Sequence, residues 1–279
     1  MKFSLRQIFG ISFKFFRLNF AKMLPYTAIV FLFTEVVALI GYFASVSPVM
    51  QQMLQGTADG TAPTLTAAQE SVFGMFAMAT LILGVLSFII MPKVYMAALI
   101  YVKCEFDGEG LSFGQAMRRT RGKFWRYVGN IILVAIISSI FTMVSVASNP
   151  VLDIAASVYS AAVGALLCLV VPLVAFENSR GVVIPRAIKL LAGFVPQAML
   201  AVFMFTGLFS VIEAVLGDLF LKTDLSTLLF STVMNLLTAL ALPLASAAQT
   251  LVYNRQTRDT YHESAPEPEP PQDQDTGWH

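Results

Sequence analysis

The chain reads as an all-α polytopic membrane protein: six transmembrane helices in three repeated hairpins, with amphipathic helices at the cytoplasmic interface. Three observations predict this. The 279 residues are 57% hydrophobic and only 13% charged, with a mean hydropathy of +0.72, whereas soluble domains carry about 25% charge. Six stretches are long enough to cross a hydrocarbon core, which takes roughly 20 apolar residues in a helix. They lie near 24–44, 72–92, 127–147, 154–176, 196–216 and 227–252. Finally, every lysine and arginine except Lys222 falls in one of four segments that alternate with these stretches. A soluble helical core is excluded because the stretches are apolar all round rather than striped.

The basic segments run from Lys2 to Lys22, Lys93 to Arg126, Arg180 to Lys189 and Arg255 to Arg258. Lysine and arginine in short loops are held on the cytoplasmic side. The amino terminus is therefore expected inside, and six spans return the carboxyl terminus to the same side, in a bacterial inner membrane. The outer connections become 45–71, 148–153 and 217–226, holding Asp59, Glu70, Asp153, Asp218 and Asp224. The first apolar run follows a basic, aromatic segment too long for the n-region of a secretory signal. A retained helix is expected there. Cys104 lies in a cytoplasmic segment and Cys168 within the fourth span, too far apart in depth to pair.

Each odd-numbered span is preceded by an amphipathic segment. Ser4-Leu5-Arg6-Gln7 and Ser112-Phe113-Gly114-Gln115 both fit the S-x-x-Q capping box, in which Ser and Gln satisfy orphan amide donors. Apolar residues then recur at helical spacing: Leu5, Ile8, Phe9 and Phe16; Phe113, Ala116, Met117 and Phe124; Ile184, Ala187, Ile188 and Val195. Pro185 stands in the first turn of the third segment, where a missing amide donor is tolerated. The polar faces carry Arg6 and Lys14, then Arg118, Arg119 and Arg126, then Arg186 and Lys189. Such helices lie in the membrane interface. The even-numbered spans carry Pro92, Pro172 and Pro243 in their cytoplasmic halves, where proline favours a kink. Three divergent copies of one unit are expected.

Val171-Pro172-Leu173-Val174-Ala175-Phe176-Glu177, followed by Pro185-Arg186-Ala187-Ile188-Lys189-Leu190, resembles the P-x-x-x-x-E and A-x-K pattern of a group of bacterial six-helix membrane proteins. That group includes the membrane domain fused to some glycerophosphoryl diester phosphodiesterases. Ser112 to Arg126 is similar to its first cytoplasmic motif, and Leu251 to Arg258 to its closing tyrosine–arginine segment. The resemblance extends over nearly the whole chain except the tail. It implies a fold and a location, not an activity, and the phosphodiesterase barrel is absent.

Catalytic constellations are not legible. Both histidines, His262 and His279, lie in the tail, no P-loop occurs, and neither cysteine has a base beside it in sequence. No enzyme activity, cofactor or metal is expected. Glu35, near the middle of the first span, stands out, because an ionisable residue there costs on the order of 3 kcal/mol and faces a bundle interior or cavity. By helical rise, Ser138, Ser139, Thr206 and Asn235 fall at similar depth, and Glu35 is expected to contact Asn235. A transport site is one reading of this layer, since transporters bind at mid-depth. The favoured reading is a structural one, a Glu35 hydrogen-bonded to a neighbouring helix.

Glu177 is expected to form a salt bridge with Arg180 or Arg186, holding span four to the next interfacial helix, or else to be a solvated helix-end charge. Arg118, Arg119, Arg121, Lys123 and Arg126, with Phe124, Trp125 and Tyr127, form the densest basic-aromatic cluster. With Arg186 and Lys189 they are candidates for anionic lipid headgroups, at around 1 kcal/mol per basic residue. Plain positive-inside anchoring accounts for them as well. A nucleic-acid partner is not expected. The acidic, proline-rich segment 262–279 is expected to be a disordered cytoplasmic tail after a domain of residues 1–261. The outer loop Gln51 to Thr66 is polar and glycine-rich. The leading expectation is a non-enzymatic membrane protein that organises lipids or assists other membrane proteins. The competing one is a small-molecule or lipid transporter.

Overall fold

The computed structural model of the chain describes residues 5–46, 66–142, 169–177, 181–191 and 224–264, together with 159, 162–164 and 166. Every regular element among them is an α-helix. We number these α1 (Leu5–Val46), α2 (Ala67–Phe106), α3 (Phe113–Arg119), α4 (Phe124–Thr142), α5 (Ile184–Leu191) and α6 (Asp224–Ser264). Residues 169–176, between α4 and α5, are helical as well.

Three apolar helices are long enough to cross a membrane: Arg6–Phe43, Gln69–Phe106 and Leu228–Arg255. They fall on the expected first, second and sixth spans. The shorter apolar helices Phe124–Ile137 and Ala162–Phe176 fall on the third and fourth. The expected fifth span, 196–216, lies outside the described residues, as do Ser4, Cys168, Arg180, Val195, Thr206 and most of the predicted tail. The three long apolar helices point to a membrane protein.

Local chemistry explains where the helices start and stop. Thr66 caps α2 with a complete capping box: its hydroxyl accepts from the Gln69 amide (3.4 Å), and Gln69 Oε1 accepts from the Thr66 amide (2.9 Å). Glu70 adds an acidic side chain in the first turn, where the helix dipole favours it. Ser112 and Gln115 form the predicted box on α3, at 3.3 and 2.9 Å. Thr120 to Lys123 then turn the chain, with Gly122 at φ +79°, a left-handed conformation that favours glycine. The short helix α3 is thereby separated from α4.

The amino-terminal segment departs from this pattern. The expected short interfacial helix and first span are one continuous helix, α1, of 42 residues. Its middle holds good helix formers, Leu18, Ala21, Lys22, Met23 and Leu24, with no left-handed glycine to break it. Pro25 sits inside without ending it. Pro92 and Pro243 likewise lie within continuous helices, and Pro172 within 169–176. Two face assignments also shift. Phe9 is exposed while Ser12 and Phe15 are buried, and Ile188 is 55% exposed while Leu190 is buried. In α5 the buried set is Ile184, Ala187 and Leu190, and Ile188 lies about 100° round the helix from Ala187.

Burial is concentrated at one end of the helices. From Val94 to Cys104 almost every residue of α2 is buried, whereas Leu81, Val85, Leu86 and Phe88 of the same helix are exposed. One core cluster joins that end of α2 to residues 169–175, α5 and Tyr253. The other joins it to Met23, Tyr26 and Val30 of α1 and to Ala239, Leu242 and Ala247 of α6. The first and last helices, α1 and α6, pack along each other, and α2 touches both.

Candidate functional site

Two polar constellations stand out. The first lies between α1 and α6. Glu35 Oε2 accepts from Asn235 Nδ2 at 3.1 Å, the contact anticipated from matched depth, and Glu35 Oε1 accepts from the Thr232 hydroxyl at 2.5 Å. Thr232 and Asn235 are three residues apart, so they share one face of α6 and reach both carboxylate oxygens together. A cleft of about 280 Å³ lies beside them, lined by Phe33, Thr34, Val37, Ser87, Met91 and Asn235. Thr34 turns inward on its own helix, donating to the carbonyls of Val30 (2.9 Å) and Phe31 (3.0 Å). Of the other layer candidates, Ser139 is exposed and donates to Ile136 O at 2.9 Å. The side chain of Ser138 and all of Thr206 lie outside the described residues.

The second constellation gathers around Glu177, at the end of the helical segment 169–176. Arg186 Nη1 on α5 lies 3.0 Å from Glu177 Oε2. The Tyr253 hydroxyl on α6 donates to Oε1 at 3.3 Å, and its ring meets Phe176 at 4.8 Å. The Glu177 side chain is only 12% exposed, against 49% for Arg186, so this is a largely desolvated ion pair rather than a solvated helix end.

The same point is held from α4. Lys123 Nζ donates to the Ala175 carbonyl at 2.5 Å, and Arg126 Nη1 donates to the Glu177 carbonyl at 2.7 Å. These carbonyls belong to the last turn of a helix, where backbone acceptors lack intrahelical partners and cations are favoured. Burial, with the like charge of Arg126 beside it, pushes the Lys123 ammonium below the usual lysine range. Asn130, 3% exposed, accepts from the Val183 amide at 2.9 Å and donates to the Arg126 carbonyl at 2.8 Å. Four segments thus meet in one polar clamp.

The basic cluster therefore divides. Lys123, Arg126 and Arg186 engage the clamp. Arg119 lies 3.0 Å from Cys104 Sγ and 3.5 Å from Glu109 Oε2. Arg118, Arg121 and Lys189 are exposed, as is Trp125 at 76%. Acidic residues also stand among the basic ones: Glu105 takes Lys22 at 3.2 Å and the Tyr101 hydroxyl at 2.8 Å, and Asp107 takes Lys103 at 2.7 Å. Reading the basic segments for positive charge alone missed Glu105, Asp107 and Glu109. It also missed Thr232, whose only signal was its position three before Asn235, and the partner of Tyr253, a residue of the closing motif that reaches a carboxylate 76 residues away.

No protein-family model, no curated protein and no solved structure matches the chain.

Proposed function

We propose that the chain is a six-span bacterial inner-membrane protein of three hairpins, with both termini cytoplasmic. In this reading it is a non-enzymatic scaffold for lipids or other membrane proteins, akin to the six-helix group its motifs resemble. What supports it most is the Glu177 clamp. It ties α4, segment 169–177, α5 and α6 into one platform whose rim leaves Arg118, Arg121, Trp125 and Lys189 exposed. Basic and aromatic side chains in that arrangement suit the headgroup region on the cytoplasmic side.

Single cysteines, introduced after Cys104→Ser and Cys168→Ser, test the topology with a membrane-impermeant maleimide. Asp59→Cys, Asp153→Cys and Asp218→Cys label in intact spheroplasts, whereas Arg121→Cys, Lys189→Cys and Arg258→Cys label only after lysis. External labelling at 258, or protection of 218 until lysis, overturns the six-span arrangement.

The Glu35 layer favours a second reading, a transporter with a mid-membrane site. It is motivated by a carboxylate that two side chains of another helix engage beside a cleft. Proteoliposomes loaded with a pH-sensitive dye and given a pH step decide it. The transport reading expects proton flux above that of empty liposomes, lost in Glu35→Gln. Flux equal to that of empty liposomes removes proton coupling from the site.

A further inference from the structure

Two clefts meet at Trp125. One, of about 560 Å³, is lined by Arg121, Lys123, Arg126 and Asn130 among others, and by the Trp125 ring. Among the described residues that line it, cations outnumber the one carboxylate, Glu177, which is already paired with Arg186. The other, of about 420 Å³, is an apolar trough along α2, lined by Leu81, Gly84, Val85, Phe88 and Ile89, with Phe124 and Trp125 at the α4 side.

The trough has the dimensions of half a bilayer. Leu81, Val85, Phe88 and Ile89 recur at spacings of four and three and so share one face of α2. From Leu81 to Ile89 the helix rises about 12 Å, close to the ~15 Å depth of one leaflet. Gly84 leaves the floor open, since a Cβ added there meets nothing within 4 Å. At the opposite end from Leu81 an aromatic lip closes the trough: Phe88 meets Phe124 at 6.0 Å, and Phe124 meets Trp125 at 5.1 Å. Lys93 holds its ammonium 5.7 Å from the Phe124 ring centroid. The trough thus runs from an apolar wall to a lip carrying a cation, and across Trp125 into the basic cleft.

We propose that the two clefts together hold one anionic phospholipid of the cytoplasmic leaflet, its phosphate beside Arg121 and one acyl chain along the Leu81–Ile89 trough. This rests on the membrane-scaffold reading and names the lipid site within it. Charge complementarity selects the anionic headgroup, and a trough one leaflet deep selects a chain-bearing ligand. A soluble anion uses only half of this site.

Native mass spectrometry of the full chain, exchanged from phosphatidylglycerol–phosphatidylcholine mixed micelles, tests it. The wild-type protein retains phosphatidylglycerol over phosphatidylcholine. Arg121→Gln lowers that retention about fivefold, the effect of one basic residue at the surface. Gly84→Leu fills the trough and lowers retention as well, while leucine strengthens the helix relative to glycine. Arg17→Gln, an exposed basic residue on α1 outside both clefts, leaves retention unchanged. Equal losses in Arg17→Gln and Arg121→Gln mean diffuse anchoring and overturn the site. Retention unchanged by Gly84→Leu overturns the acyl trough, and release of lipid by millimolar inorganic phosphate overturns the lipid in favour of a free-anion site. None of these outcomes alters the cysteine-labelling pattern, so the failure of the site and the failure of the six-span reading are told apart.

Discussion

Arg186→Ala destabilises the protein more than Glu177→Ala does, although both remove the same ion pair. The asymmetry follows from exposure. Arg186 is 49% exposed and hydrates when its partner is lost, whereas Glu177, at 12%, is left in a largely desolvated site without its ion-pair partner, with the Arg126 charge beside it. Breaking a fully buried pair costs about 3–5 kcal/mol. The remaining Tyr253 hydrogen bond and the Arg126 charge reduce this to about 2 kcal/mol for Arg186→Ala, while Glu177→Ala, which also loses the Tyr253 bond, costs about 1 kcal/mol because the half-exposed Arg186 hydrates. The double variant Arg186→Ala/Glu177→Gln recovers most of the loss, because a neutral amide tolerates the site and still accepts from Tyr253. Equilibrium unfolding in mixed SDS micelles measures all three. A double variant no more stable than Arg186→Ala refutes the assignment of the cost to an unpaired charge.

Leu173→Ala is the second large effect. Leu173 is fully buried in the cluster that joins α2, α5 and Tyr253. Leu→Ala changes in soluble cores cost about 2–5 kcal/mol, as a transfer contribution plus a cavity. In a bilayer the unfolded reference is lipid rather than water, so packing contributes and transfer largely does not. The expected loss is therefore about 2 kcal/mol, at the low end, in the same unfolding assay. Leu81→Ala, exposed on α2, changes stability by less than about 0.5 kcal/mol. Comparable losses at the two positions contradict a core placed at the 94–104 end of α2.

How much of this was legible depends on the range of the interaction. Helix positions follow from hydropathy, because a long apolar run has few alternatives. The Ser112–Gln115 cap is a local pattern and was readable for the same reason. Glu35 and Asn235 were matched by depth alone, since helical rise converts sequence position into a coordinate along the membrane normal. Depth carries no azimuth, so Thr232 gave no comparable signal. The basic segments were legible only in part. Composition does not distinguish a cation facing lipid from one facing the last carbonyls of a neighbouring helix, and Lys123 and Arg126 do the latter. The continuity of α1 was hidden for a different reason: an amphipathic start joined to an apolar run looks the same whether or not a turn separates them, and here none does.

The pairing of the first helix with the last has a consequence for synthesis. Thr232 follows Glu35 by 197 residues, which a ribosome takes roughly 10–40 s to translate at 5–20 residues per second. Throughout that interval α1 has been made while neither of the α6 groups that engage its carboxylate exists. The newborn protein is thus unfinished at its beginning until its end is inserted, and a chain stopped before residue 232 leaves α1 docked on α2 alone, its carboxylate without the two α6 groups that engage it.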